Sequence, residues 1–164
     1  MAGPGINALS IESAEQAVAI TTALVQRARR HLWIHSRQLD PGLLDAAPVL
    51  EALRRFATAR HDKQATIIVH DATAIAQAGS PLLGLVQRLP TVFRVRQVVD
   101  PIDRALASAC LLNDAGDYYF RLSGQRFDGE AGLSQPARSR PLQEGLQRVW
   151  ERSRECSELR ALGL

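Results

Sequence analysis

The sequence predicts an α/β fold, in which a mixed, largely parallel sheet is flanked by helices. Segments with apolar residues at helical spacing, which predict helices, alternate with short apolar segments, which predict strands. This alternation is typical of a sheet flanked by helices. Residues 65–69 are β-branched and apolar on both faces, as expected for a central strand that is covered on both sides. With 164 residues, of which 46% are hydrophobic, the chain is long enough to bury a core.

Two regions are expected along the chain. Residues 1–10 contain glycine and proline and are predicted to form a flexible tail, whereas residues 11–164 form a single α/β domain. The first helix begins near Ser13, because its hydroxyl can cap the free N–H groups and Gln16 follows at the capping-box spacing.

The remaining elements follow from local patterns. The prediction consists of strands at 31–36, 65–69, 91–99, 106–112 and 118–122, helices at 48–60 and 81–89, and a short helical segment at 72–78. Residues 123–139 are rich in Gly, Ser, Gln and Arg and are expected to form a surface loop. Pro141 is expected to open the last helix.

The cysteine content favours a reducing compartment, and the charge gives only modest support for nucleic-acid binding. Twenty basic residues against 17 acidic ones give a formal charge of +3, which is modest for this length. All basic residues except Lys63 are arginines, the side chain best suited to phosphate and carboxylate. Cys110 and Cys156 lie in unrelated contexts, and no leader-like or membrane-spanning stretch is present, so we expect a cytoplasmic protein without membrane contact.

Polar side chains follow three of the predicted strands. Ligands of open α/β sheets bind beyond the carboxyl ends of the strands. Three groups of residues stand at such positions: His35 with Arg37, His70 with Asp71, and Asp100 with Asp103 and Arg104. They are predicted to form a polar crevice that binds an anionic or phosphate-containing ligand.

Each of these side chains also has a structural interpretation. His35 can be a half-buried core histidine, Arg37 can pair with Asp40, and Asp71 can cap the next segment. Arg94 and Arg96 share one face of a strand, where they form either an anion-binding patch or a solvated edge.

Standard catalytic and cofactor motifs are missing from the sequence. There is no GxGxxG, no P-loop lysine, no GxSxG elbow and no HExxH pair. The four histidines do not cluster in the sequence. We therefore predict no catalytic residue, no metal site and no cofactor.

Residues 65–125 nevertheless resemble the phospholipase D-like phosphodiesterase fold. The resemblance follows the order of a strand ending in His70-Asp71, a leucine-rich helix ending at Pro90, the strand at 93–96 and the apolar stretch 107–114. In active members this last strand carries H-x-K-x4-D, and a G-S-x-N-like turn follows the return strand. The matching positions here are Ala107, Ala109 and Asp114, and Ser123-Gly124-Gln125 stands near the second motif without its asparagine.

The resemblance implies a phospholipase D-like half-domain that has lost this activity. An alanine can replace neither the nucleophilic histidine nor the phosphate-binding lysine, so we expect a non-catalytic ligand- or partner-binding domain. Asp114, the matching residue, remains a candidate ligand contact. Active members use two half-domains, which implies a homodimer.

Two alternatives stay open: a phosphodiesterase or nuclease with a relocated histidine site at His35 or His70, and an arginine-driven nucleic-acid-binding module. The whole chain also resembles an uncharacterised group of bacterial domains, some of which are attached to acetyltransferase modules.

Overall fold

A computed structural model of the chain describes residues 8–160. The strands are β1 (Leu9–Ile11), β2 (His31–His35), β3 (Gln64–Val69), β4 (Phe93–Gln97), β5 (Ala109–Asn113), β6 (Tyr118–Arg121), β7 (Gly129–Gly132) and β8 (Arg154–Glu155). The helices are α1 (Ala14–Arg27), α2 (Ala47–Thr58), α3 (Ala72–Ala78), α4 (Pro81–Arg88), α5 (Pro101–Arg104) and α6 (Pro136–Glu151), followed by a 3₁₀ turn at Ser157–Leu159.

These strands form one sheet in the order β1-β7-β6-β5-β2-β3-β4-β8. Within residues 8–160, β2–β3 and β3–β4 pair in parallel, and the remaining pairs are antiparallel. The mixed α/β fold is thus confirmed, but the expectation that the sheet is largely parallel is wrong. The physical reason is that helices separate β2, β3 and β4 along the chain, whereas short connections join β5, β6 and β7 and favour antiparallel neighbours.

The structure also corrects two predicted segments, the tail at the beginning of the chain and the loop at 123–139. Leu9 and Ser10 belong to β1, which pairs with β7, and not to a tail. The expected loop at 123–139 contains β7 and the beginning of α6, so that Pro141 lies inside a helix that begins at Pro136. The rest of the predicted tail, residues 1–7, and the final residues 161–164 lie outside the described residues.

The sheet separates two hydrophobic clusters. On one face, Ile34 and Ile67 pack with buried residues of α1, α2 and α4, such as Leu24 and Leu53. On the other face, Trp33, Ile68, Cys110 and Leu112 pack against Leu146 and Val149 of α6. Alternate residues of β2 and β3 therefore enter different clusters, which explains why both strands are apolar on both faces.

A polar cluster joins α1 to the β5–β6 turn. The side-chain amide of Asn113 donates to the Leu24 carbonyl and to Asp117, both at 2.8 Å, while its oxygen accepts from the backbone N–H of Asp117. Arg27 Nε donates to the same carboxylate at 2.6 Å. The cluster fixes the turn against the end of α1 and thereby the position of β5 beside β2.

Candidate functional site

The carboxyl ends of β2 and β3 bring two histidines into contact. The two strands are parallel, so His35 and His70 reach the same edge of the sheet. Their Nε2 atoms are 2.8 Å apart, and the ring centroids are separated by 5.0 Å. The proximity predicted for these residues is therefore present in the structure.

Both imidazoles are held in their neutral form. Burial, together with the charges of His70 and Arg37, lowers the pKa of His35 to about 4, although Asp103 opposes the shift. Burial and Arg37 also lower the pKa of the half-buried His70. At neutral pH one ring consequently donates and the other accepts the shared hydrogen bond, and the pair offers hydrogen bonding rather than positive charge.

Arg37 follows β2 and connects it to the neighbouring segments. Its backbone carbonyl accepts hydrogen bonds from the N–H groups of His70 and Asp71. Its guanidinium donates to the carbonyl oxygen of Leu106 at 3.1 Å. The predicted alternative that Arg37 pairs with Asp40 is wrong, because another arginine takes that carboxylate.

That arginine is Arg121, at the end of β6. Its Nη2 lies 2.5 Å from Asp40 Oδ2, and the two side chains are only 4% and 7% exposed. Leu39 and Asp40 have positive φ angles of 62° and 41°, which non-glycine residues rarely adopt. Arg121 also donates to the carbonyls of Gly124 and Arg126. The pair thus ties the turn after β2 to the loop after β6.

Ala107 and Ala109 lie beside this loop. Gly124 N–H donates to the Ala107 carbonyl at 2.7 Å, and a Cβ at Gly124 would stand 3.4 Å from the methyl group of Ala109. Ala109 also faces Arg121 across the β5–β6 pairing. The two segments that the resemblance matched to motifs are therefore adjacent in space.

A cleft of about 290 Å³ opens next to these residues, and we call it the strand-end cleft. It lies between the turn after β2 and the loop after β6, and its lining includes Arg37, Gln38, Asp40, Arg121, Gly124 and Phe127. Two arginines therefore border it, but the charge of Arg121 is compensated by Asp40.

Buried polar atoms without a hydrogen-bond partner are concentrated at this edge. Among the described residues they include Ser36 Oγ, His70 Nδ1 and Arg121 Nε. Burial raises the pKa of the nearby Asp40 carboxyl group, and Arg121 and Ser36 oppose this shift. Unpaired polar groups cost about 1–3 kcal/mol each when buried, so a concentration of them is a feature that calls for an explanation.

Two more sequence-predicted residues have structural roles. Asp71 Oδ1 accepts the N–H of Ala74 at 3.0 Å and caps α3, which confirms the capping interpretation. Asp103 is buried and pairs with Arg152 at 2.7 Å, a partner that the sequence analysis missed. The missed pair joins α5 to the end of α6.

Arg94 and Arg96 lie on β4, and neither residue lines the strand-end cleft. Arg96 Nε donates to Ser153 Oγ at 2.8 Å, and its guanidinium carbon stands 5.3 Å from the Trp150 ring centroid. Arg94 is exposed at the beginning of the same strand. Both arginines line one cleft beside Trp150, in which Arg96 is already bonded to Ser153.

Asp114 lies at the opposite edge of the sheet. Because β5 is antiparallel to β2, the end of β5 meets the beginning of β2. The Asp114 carboxylate accepts the backbone N–H groups of Arg29 and Arg30 at 2.8 and 2.9 Å. The structure therefore does not bring it together with His35 and His70.

Residues 8–160 provide neither a metal-binding cluster nor a helix suited to a membrane. No group of three or more His, Cys, Asp or Glu side chains in this range has an arrangement that could hold a metal ion. None of the helices in this range combines the length and apolar character needed to span a bilayer.

Solved structures with the same fold are found at low sequence identity. The archaeal chromatin protein TrmBL2, described as showing a novel mode of DNA binding, has a TM-score of 0.63 and 10% identity over 95% of this chain. NucT from Helicobacter pylori has a TM-score of 0.64 and 10% identity over 91% of this chain. The phospholipase D family member Nuc from Salmonella typhimurium has a TM-score of 0.56 and 11% identity over 94%.

The chain spans 56% of the length of TrmBL2, 97% of NucT and 98% of Nuc. These likenesses show a phospholipase D-like fold. No curated protein matches the sequence. Residues 13–162 match the family described as a domain of unknown function, DUF7931. The chain therefore belongs to the DUF7931 family.

Proposed function

We propose that the chain is a non-catalytic phospholipase D-like domain that binds a phosphate-containing ligand in the strand-end cleft. The observation that carries the proposal is the contact between Ala107 and Gly124 beside the cleft. In the register of the resemblance, Ala107 and Ala109 stand where active members have the histidine nucleophile and the lysine. Methyl groups at both places can neither attack a phosphorus atom nor hold its oxygens.

Ligand binding is supported by the polar groups around the same cleft. Arg37 lines it and uses only one donor, at the Leu106 carbonyl, among the contacts of the described residues. Arg121 also lines the cleft, and its buried Nε has no hydrogen-bond partner among the described residues. Phosphate oxygens accept hydrogen bonds from such groups, and arginine matches their geometry.

The test measures binding and hydrolysis with the same samples. Titration calorimetry with inorganic phosphate and with bis(4-nitrophenyl) phosphate is expected to show binding, and absorbance is expected to show no nitrophenolate release. Arg37→Gln should weaken binding about tenfold, the loss of one charge-assisted hydrogen bond. Arg104→Gln, an exposed arginine on the neighbouring α5, is the matched control and should bind normally. Absence of binding, or equal binding by Arg37→Gln, would overturn the proposal.

The second candidate is a phosphodiesterase with a relocated site, and the His35–His70 contact favours it. Two neutral imidazoles 2.8 Å apart can serve as proton acceptor and donor in phosphoester cleavage. Hydrolysis of bis(4-nitrophenyl) phosphate that disappears in His35→Ala and in His70→Ala would establish this candidate and exclude the non-catalytic one.

The third candidate is nucleic-acid binding through arginines. It is supported by the similar fold of TrmBL2, which is described as a DNA-binding chromatin protein. Phosphate contacts strengthen steeply as salt is lowered. A labelled DNA or RNA oligonucleotide that stays free at about 50 mM salt would rule this candidate out.

We also propose that two copies associate through the edge that carries the strand-end cleft. Ile102 of α5 and Leu122 after β6 are 77% and 81% exposed, which is unusual for large apolar side chains. Both flank the segment around Ala107. Light scattering should show a dimer that Leu122→Glu dissociates, and a monomeric wild type would contradict this assembly. Cytoplasmic location and attachment to an acetyltransferase module remain predictions from the sequence.

A further inference from the structure

A second cleft opens at the opposite edge of the sheet, where the parallel strands β2, β3 and β4 begin. Its volume is about 450 Å³, within the range of roughly 300–1,000 Å³ that is usual for small-molecule sites. Its lining includes Arg30, His31, His61, Asp62, Lys63 and Arg94. We call this region the strand-start cleft. It shares no lining residue with the strand-end cleft.

Positive charge around this cleft is largely uncompensated. Arg30, Lys63 and Arg94 contribute three permanent cations, whereas Asp62 is the carboxylate in the lining. Among the described residues, none of the three cations forms a salt bridge. The neighbouring Asp114 already accepts the backbone N–H groups of Arg29 and Arg30 with its two oxygens.

The floor of the cleft is held in place by the sheet. The His31 ring stacks on Trp33 with centroids 3.9 Å apart, and its Nε2 lies 3.0 Å from Thr66 Oγ1. Thr66 is paired in register with Arg94 on β4, so the strand pairing fixes the Arg94 backbone beside this floor. At the rim, Lys63 is oriented by its hydrogen bond to the Arg29 carbonyl.

We propose that the strand-start cleft binds a phosphate-bearing ligand. Arg30, Lys63 and Arg94 line one concave surface, and phosphate oxygens can accept hydrogen bonds from several such donors at once. Burial lowers the pKa of His31, so this ring contributes hydrogen bonding while the three cations supply the charge. The phosphate can belong to a small molecule or to a nucleic-acid backbone.

The experiment uses the full chain and two probes. Inorganic pyrophosphate is titrated by calorimetry, and a labelled single strand of about ten nucleotides is titrated by fluorescence anisotropy at low salt. Arg30→Gln/Arg94→Gln is compared with the matched double variant Arg140→Gln/Arg148→Gln, which removes two exposed charges from α6. Arg37→Gln reports separately on the strand-end cleft.

The expected result is a loss of affinity of about tenfold or more in Arg30→Gln/Arg94→Gln, with little change in the other two variants. If pyrophosphate shows this pattern, the ligand is a small phosphate compound, and if the oligonucleotide alone shows it, the source is nucleic acid. The proposal is overturned if neither probe binds, if both double variants lose affinity equally, or if binding depends on Arg37 alone. Binding that depends on Arg37 alone would support the strand-end cleft and exclude the strand-start cleft. The experiment therefore distinguishes a failure of this proposal from a failure of the proposed function.

Discussion

The Nε2 atoms of His35 and His70 lie 2.8 Å apart and form one hydrogen bond across the ends of two parallel strands. That contact requires a proton on one of the two nitrogen atoms and a lone pair on the other. Protonation of both rings replaces it with repulsion between two cations in a buried place. The stability of the fold should therefore depend on pH.

Stability is expected to fall as the pH decreases through the range below 6.5. The pKa of His35 is about 4 in the folded chain, below its ordinary value of 6.5, so the unfolded chain binds more protons between these values. The free energy of unfolding should decrease by on the order of 2 kcal/mol between about pH 6.5 and pH 4.5. Urea unfolding at several pH values measures this change.

The variant His35→Gln removes the most strongly shifted imidazole and should reduce this dependence, while His31 and His70, whose pKa values burial also lowers, retain a part of it. His61→Gln is the matched control, because His61 is exposed. If wild type and His35→Gln lose stability in parallel as the pH falls, His35 is not the source of the effect.

Removing one partner of the Asp40–Arg121 pair should be strongly destabilising. Both side chains are almost fully buried, so the remaining charge would stay in the interior without compensation. We expect Arg121→Met or Asp40→Ala to lower the free energy of unfolding by about 3 kcal/mol or more. Arg126→Ala, which breaks an exposed pair with Asp128, should have little effect in the same denaturation assay. Equal effects of the buried and exposed variants would contradict this assignment.

Glycine-to-alanine substitutions should have opposite effects in β7 and α4. A Cβ at Gly129 would collide with the carbonyl oxygen of Phe120 on the paired strand, so Gly129→Ala should lower the melting temperature. Gly84 lies in α4 with no heavy atom within 4 Å of an added Cβ. Gly84→Ala should therefore stabilise the fold by up to about 1 kcal/mol, because alanine is the better helix former. Scanning calorimetry measures the melting temperatures of both variants. A Gly129→Ala variant that melts at the wild-type temperature would contradict the close approach of β6 and β7.

The two cysteines should be unreactive in the native protein. Burial raises the pKa of Cys110 to about 12 and that of Cys156 to about 11, so neither is a thiolate near pH 8. Titration with a chromogenic disulfide reagent should consume two thiols per chain in urea and close to none without it. Rapid reaction of the native chain would show that these side chains are accessible.

Local patterns predicted the elements that local interactions stabilise. Ser13 accepts the N–H of Gln16 at 3.1 Å and begins α1 as the capping signal indicated. The apolar stretch around Ile67 forms the central strand β3 because both of its faces are covered. By contrast, β7 has the sequence GEAG, without a β-branched residue, and it is a strand because its two neighbours, β1 and β6, pair with it.

The sequence predicted the histidines of the candidate site but not its buried ion pair. His35 and His70 follow parallel strands, and the rule for strand ends was sufficient to place them together. The Asp40–Arg121 pair joins residues 81 positions apart, and no local pattern indicated that Arg121 would be buried. Asp114 was grouped with the ligand candidates because it matches the aspartate of the family motif, but the antiparallel direction of β5 places it at the opposite edge of the sheet.

The position of β2 between β3 and β5 has a consequence for biosynthesis. One edge of β2 can be paired as soon as residues 64–69 have left the ribosome, but its other edge waits for residues 109–113. Until then, an apolar strand exposes a row of unsatisfied backbone groups, which is the kind of edge that recruits other chains. A nascent or truncated chain that stops before Ala109 is thus expected to self-associate, whereas the complete chain closes that edge internally.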